Sequence, residues 1–189
     1  MATSILWKGI SSPSLENCRI QATEYGYAIR SMIIGLHEEQ IFQVEYEIRT
    51  DVHWQNFFVR VSSDINKKTV STLLEKKEGQ WFLNDRPAPQ FKSASFVDIS
   101  LTPFTNTLPV RSLEWTKDPQ IIDVIYFDLP AGEVKPVQQL YKQLDRNHFL
   151  FATADDSFQS TLTVDSEGFV TDYPTLFRMM AKQEMADNL

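Results

Sequence analysis

Between Ile41 and Ile48 the chain alternates strictly: Phe42, Val44, Tyr46 and Ile48 are apolar, and Gln43, Glu45 and Glu47 between them are polar. A period of two sends successive side chains to opposite faces, so this segment predicts an antiparallel strand with one face packed and the other in solvent. Upstream, Tyr27, Ile29 and Ile33 share one parity while Arg30 has the other, and the polar stretch 35–40 predicts the connection of a hairpin. Downstream, Phe57, Val59 and Val61 alternate with Phe58, Arg60 and Ser62 in a third long strand, leaving Trp54 and Phe58 on the nominally outer face. Aromatic residues on both faces fit a sheet that curls, and so favour a half-barrel over a flat sheet.

The remaining pattern is less regular. Residues 67–75 alternate weakly, and Glu78-Gly79 before Trp81 is a turn signal. Pro87 and Pro89 make 84–90 a loop or an edge. The run Ile121–Phe127 is apolar on both parities except at Asp123, which predicts a strand covered on both sides. Phe158, Ser160, Leu162 and Val164 mark another strand, closed by a turn over 165–168, with Phe169 and Val170 opening its partner. Residues 134–145 fit two templates. Val137, Leu140, Tyr141 and Leu144 have helical spacing after Pro136, whereas the glutamine-rich alternation allows a strand. From Pro174, the spacing of Leu176, Phe177 and Met180 predicts a helix. No repeat, low-complexity tract or linker interrupts the chain. The reading is a mainly β protein, a strongly curved antiparallel sheet with a few short helices, forming a single domain over residues 1–189.

A chain of 189 residues can bury about 70% of its extended surface, enough for a core or an internal cavity without covalent staples. Its 13 Phe give the interior bulk, and the net charge of −7 argues against nucleic acid and anionic headgroups as electrostatic partners. Cys18 is the only cysteine, which excludes an intrachain disulfide and a cysteine-based metal site and fits a reducing compartment. There is no basic-then-apolar leader and no apolar run of the ~18 residues needed for a transmembrane segment, so a cytoplasmic location is expected. The motifs GxSxG, GxGxxG, HExxH and the P-loop are absent, and His37, His53 and His148 lie far apart, so neither a metal nor a cofactor is expected. His53 beside Asp51 could orient a base, but a surface pair is the commoner role; Cys18 beside Arg19 could be an activated thiolate, but a structural thiol is commoner.

One stretch stands apart. Residues Asp98–Leu113, DISLTPFTNTLPVRSL, pack hydroxyls, an amide and two prolines between apolar runs. Pro103 and Pro109 each remove a backbone donor, so the segment predicts an irregular, rigid crossing rather than a central strand. Asp98 and Arg111 flank it with opposite charge and could clamp a polar headgroup or pin the ends of the loop as an ion pair. Thr102, Asn106 and Thr107 could read sugar hydroxyls or satisfy the backbone around them.

The run TPFTNTLPVRSL, together with ILW at 5–7, ENCRI at 16–20, the strand ending at Tyr46, Tyr141 and DYPTLFR at 172–178, resembles the bacterial family called putative glycolipid-binding proteins. The resemblance spans nearly the whole chain. It implies a strand at 134–145, a fold similar to the open half-barrels of the Lol-type, LppX and LprG lipid carriers, and non-catalytic binding of a lipid or glycolipid in an apolar concavity. The candidate ligand-binding residues are then Asp98, Thr102, Asn106, Thr107, Arg111, Tyr141 and Tyr173. Two other classes compete: an enzyme acting on a small amphiphile with Asp98, Tyr141 or Tyr173 in acid-base roles, and an interaction domain with a filled interior.

Overall fold

A computed structural model describes residues 2–65 and 68–185. The first half of the chain is a meander of eight strands: β1 (Ala2–Gly9), β2 (Ser14–Thr23), β3 (Gly26–His37), β4 (Gln40–Thr50), β5 (Asn56–Ile65), β6 (Lys68–Lys77), β7 (Gln80–Leu83) and the short edge β8 (Arg86–Pro87). The second half opens with β9 (Phe96–Ile99), a turn of 3-10 helix (Phe104–Asn106) and one helix, α1 (Thr107–Ser112). It continues through β10 (Gln120–Asp128), β11 (Glu133–Gln143), β12 (His148–Thr153), β13 (Gln159–Val164), β14 (Val170–Tyr173) and β15 (Phe177–Met185).

All fifteen strands join one open sheet, ordered β8-β7-β6-β5-β4-β3-β2-β1-β15-β14-β13-β12-β11-β10-β9. The terminal strands β1 and β15 pair at its middle, from Ala2 opposite Met185 to Gly9 opposite Phe177 across one bulge. The sheet is antiparallel with one exception: β9 runs parallel to β10. A parallel pair needs a crossover, and the stretch 100–119 supplies it. The stretch is thus more ordered than an irregular loop, since it carries the 3-10 turn and α1, and residues 102–110 are buried throughout. Phe104 and Leu108 join a single apolar cluster with Val59 of β5, Trp7 of β1, Leu162 of β13 and Phe127 of β10. One core shared by distant strands of the same sheet requires the sheet to curve around it.

Antiparallel alternation sorts the connections to two ends. The turns 24–25, 51–55, 144–147 and 165–169 lie at one end, which is plugged. Trp54 is 4% exposed there, stacks on Tyr27 at 4.2 Å between ring centroids and meets the edge of Phe169. The Arg111 guanidinium lies 4.1 Å over Trp54. Gly168 has φ +82°, and a Cβ there would come within 2.9 Å of the Arg111 side chain, so glycine serves both the turn and the close approach. The turns 10–13, 38–39, 129–132, 154–158 and 174–176 lie at the opposite end.

Several expectations need correction. The helix predicted from Pro174 is strand β15. It has a bulge where Leu6 and Trp7 face Ala181 and Met179. Met180 is the extra residue, and this one-residue slip turns a period of two into apparent helical spacing at Leu176, Phe177 and Met180. The connection expected over 35–40 is only the two-residue turn Glu38-Glu39, both with positive φ. Phe57, expected on the packed face with Val59 and Val61, is exposed because a bulge between Arg49 and Thr50 falls opposite it, and Phe58 faces outward but is covered by the guanidiniums of Arg49 and Arg60. Val124, Ile125 and Phe127 of β10 are buried on both faces as expected, whereas Ile121 at its start is 63% exposed. The strand reading of 134–145 holds, as β11.

Candidate functional site

At the end opposite the plug, a cavity of about 650 Å³ opens between β9–β12, the turn 154–158, the end of β14, the start of β15 and the beginning of the crossing segment. Strand alternation aims Tyr126, Val137, Gln139, Phe151 and Thr153 into it from consecutive strands. Phe151, Phe158, Tyr173 and Phe177 form its apolar wall, each ring about edge-on or tilted to the next with centroids 6.1 Å apart. Such contacts set rigid aromatic surface at little entropic cost. Thr102, Asn106 and Gln139 are buried on its inner side, whereas Asp155 and Ser157 are exposed at the mouth.

The polar floor is built by the crossing segment. Asp98 receives hydrogen bonds from Thr105 Oγ1 (2.7 Å) and Gln139 Nε2 (2.6 Å). Desolvation raises its carboxyl above the ordinary range against the lowering effect of both bonds. Burial, followed by the charges of Asp98 and Asp128, pushes the Tyr126 phenol up to about 12. Burial raises Tyr173 further. Lys135, on the lining, is held by Asp128 and Glu133 at 3.4 and 3.0 Å.

Of the seven residues expected from the sequence, the cavity brings together Asp98, Thr102, Asn106 and Tyr173. The other three lie elsewhere. Tyr141 is buried one layer behind and donates to Asn106 Oδ1 at 2.9 Å, orienting that amide while its Nδ2 donates to Pro103 O. Thr107 is fully buried, and its hydroxyl has no partner. Arg111 makes no ion pair with Asp98: the aspartate is engaged by Thr105 and Gln139, and the guanidinium stacks in the plug.

One polar cluster escaped the sequence reading. Glu16 on β2 is 3% exposed, and its Oε1 receives hydroxyls from Tyr46 (2.5 Å), Ser31 (2.8 Å) and Thr102 (2.9 Å). Its Oε2 has no partner. Burial outweighs those three bonds and raises the carboxyl to about 7. The Cys18 thiol lies 3.7 Å from the Tyr46 hydroxyl, and burial, then the nearby Glu16, holds it well above the usual thiol range. The signal was available in parity: Glu16 falls on the same face as Cys18 and Ile20, the face that packs.

This arrangement is that of a curved β-sheet protein with one plugged end and an amphiphilic cavity at the other. The family described as "Putative glycolipid-binding" matches residues 4–179, and the chain belongs to it. No curated protein matches significantly. Among solved structures, the crystal structure of a DUF1089 family protein from Pseudomonas aeruginosa is similar, with a TM-score of 0.78 and 28% sequence identity over 87% of this chain and 91% of that one. Among the described residues, no helix is long and apolar enough to cross a membrane, and no cluster of potential metal ligands occurs.

Proposed function

We propose that the protein binds an uncharged, hydroxyl-bearing amphiphile, a glycolipid, with its chain on the aromatic wall and its head on the polar floor, and does no chemistry on it. The observation that supports this most directly is the composition of the floor. Asp98, Thr102, Asn106 and Gln139 offer acceptors and neutral donors, Arg111 is committed to the plug, and Lys135 is held between two carboxylates. A hydroxyl can give its proton to Asp98, whereas a phosphate or sulfate would meet the carboxylate without a guanidinium to offset it. The volume suits one small amphiphile. The buried, unpaired Cys18 fits work in a reducing compartment, the cytoplasm.

The test compares octyl glucoside with octyl phosphate below their micellar concentrations, read by tryptophan fluorescence, since Trp115 packs on Tyr141 and Phe149 behind the cavity. The glucoside is expected to bind at least about tenfold tighter, the scale of discrimination when a buried polar site is left unpaired. Equal or tighter binding of the phosphate overturns the reading.

A further inference from the structure

Thr102 belongs to two structures at once: it lines the cavity and it is one of the three hydroxyls donating to Glu16. We propose that Glu16 is a positioning residue for the cavity, setting through Thr102 whether the floor offers a ligand an acceptor or a donor, and so coupling ligand binding to one proton. This rests on the cavity being the ligand site.

With Glu16 ionised, Tyr46, Ser31 and Thr102 all direct their O–H groups at Oε1, so Thr102 can present only an oxygen lone pair to the cavity. It also accepts from the Phe104 backbone N–H at 2.9 Å, which fixes the oxygen in place while leaving its proton free to rotate. When Glu16 takes up a proton, the new O–H needs an acceptor. At Oε2 it finds none, because that atom is buried without a partner. At Oε1 it must displace one of the three incoming donors. Ser31 and Tyr46 are buried on β3 and β4 and do not line this cavity; the Tyr46 hydroxyl has two further partners, Thr102 Oγ1 at 3.3 Å and Cys18 Sγ at 3.7 Å, and a turn toward Thr102 again leaves the Thr102 proton to be redirected. Thr102 faces the cavity, so its O–H can turn to an acceptor atom of a ligand while its oxygen accepts the Glu16 proton. A ligand acceptor at this point therefore favours protonated Glu16, and by linkage the proton favours the ligand.

The groups facing Glu16 are Cys18 on its own strand, Ser31 on β3, Tyr46 on β4 and Thr102 on the crossing segment. Cys18 and Tyr46 are both held protonated by burial, which leaves Glu16 as the group in this cluster that changes charge near neutrality. The other carboxyls of the cavity are Asp98, across the floor, and Asp155, exposed at the mouth.

Octyl tetraethylene glycol, an uncharged probe whose head is mostly ether acceptors, is titrated into the protein by calorimetry on both sides of pH 7, in buffers of different ionisation enthalpy. The expected result is binding several-fold tighter on the acid side with uptake of a fraction of a proton near pH 7, a dependence lost in Glu16→Gln and Thr102→Val. Binding that is independent of pH, or a dependence that survives Glu16→Gln, overturns the proposal. A second measurement needs no ligand: the backbone amide resonances of Thr102 and Phe104 should titrate with a midpoint near that of Glu16 and stop doing so in Glu16→Gln. If the amides titrate but the probe never binds, the cavity reading fails and the hydroxyl coupling stands; if they do not titrate, the coupling fails.

Discussion

Glu16 places a measurable pH dependence in the fold itself. Its folded value of about 7 lies above the unfolded 4.5, so between these values the unfolded chain has released a proton that the folded chain still holds. The stabilisation from that proton is complete below 4.5 and is lost as pH rises through about 7. Urea denaturation across this window should show a fall of at most roughly 3 kcal/mol attributable to this group, and Glu16→Gln should flatten the curve. An unchanged slope in the variant would assign the dependence to other carboxyls. Two threonine-segment variants separate satisfied from unsatisfied groups. Asn106→Ala strands the Tyr141 hydroxyl and should cost about 1 to 3 kcal/mol, whereas Thr107→Val removes a hydroxyl that has no partner and should be neutral or stabilising. Asp98 and Arg111 share no partner, so Asp98→Asn and Arg111→Met should add in a double-mutant cycle; a coupling energy above about 0.5 kcal/mol would contradict this.

Among the elements, the long strands β3 and β4, and β5 from Val59 onward, were legible because each buries one face, which leaves the period of two intact in the sequence. β15 was not legible. Met179, Met180, Ala181, Lys182, Gln183 and Glu184 are all good helix formers, and the tertiary requirement to pair with β1 overrides that preference. The composition of the crossing segment marked it as unusual, and its Asp98, Thr102 and Asn106 line the cavity together with Tyr173 of β14. Two partnerships were out of reach: Arg111 with Trp54, and Glu16 with Thr102. Both join residues more than fifty positions apart, and only the curling of the sheet brings them together. The turn Glu38-Glu39 carries two left-handed residues where asparagine and glycine are preferred. Replacing the pair by Asn-Gly should raise stability by about 0.5 to 1 kcal/mol in thermal denaturation; a loss would mean that these glutamates make contacts of their own.

At the scale of the molecule, pairing the chain termini at the centre of the sheet leaves the open edges at β8 and β9. The second edge is folded inward, where Asn56 Oδ1 caps the Val97 backbone N–H. The crossing segment then fills the concavity from the plugged end, so the space that remains lies beneath the turns at the other end. Its walls are aromatic and its floor is polar. The central claim is that this space holds an amphiphile, and native mass spectrometry of the protein purified from the cells that produce it tests that claim most directly, with Val137→Trp as the partner that fills the cavity. The expected result is one non-covalent lipid-sized adduct on the parent protein, absent from a Val137→Trp variant that melts at the same temperature or higher. A parent protein that flies bare, or an adduct retained equally by the folded variant, would contradict it.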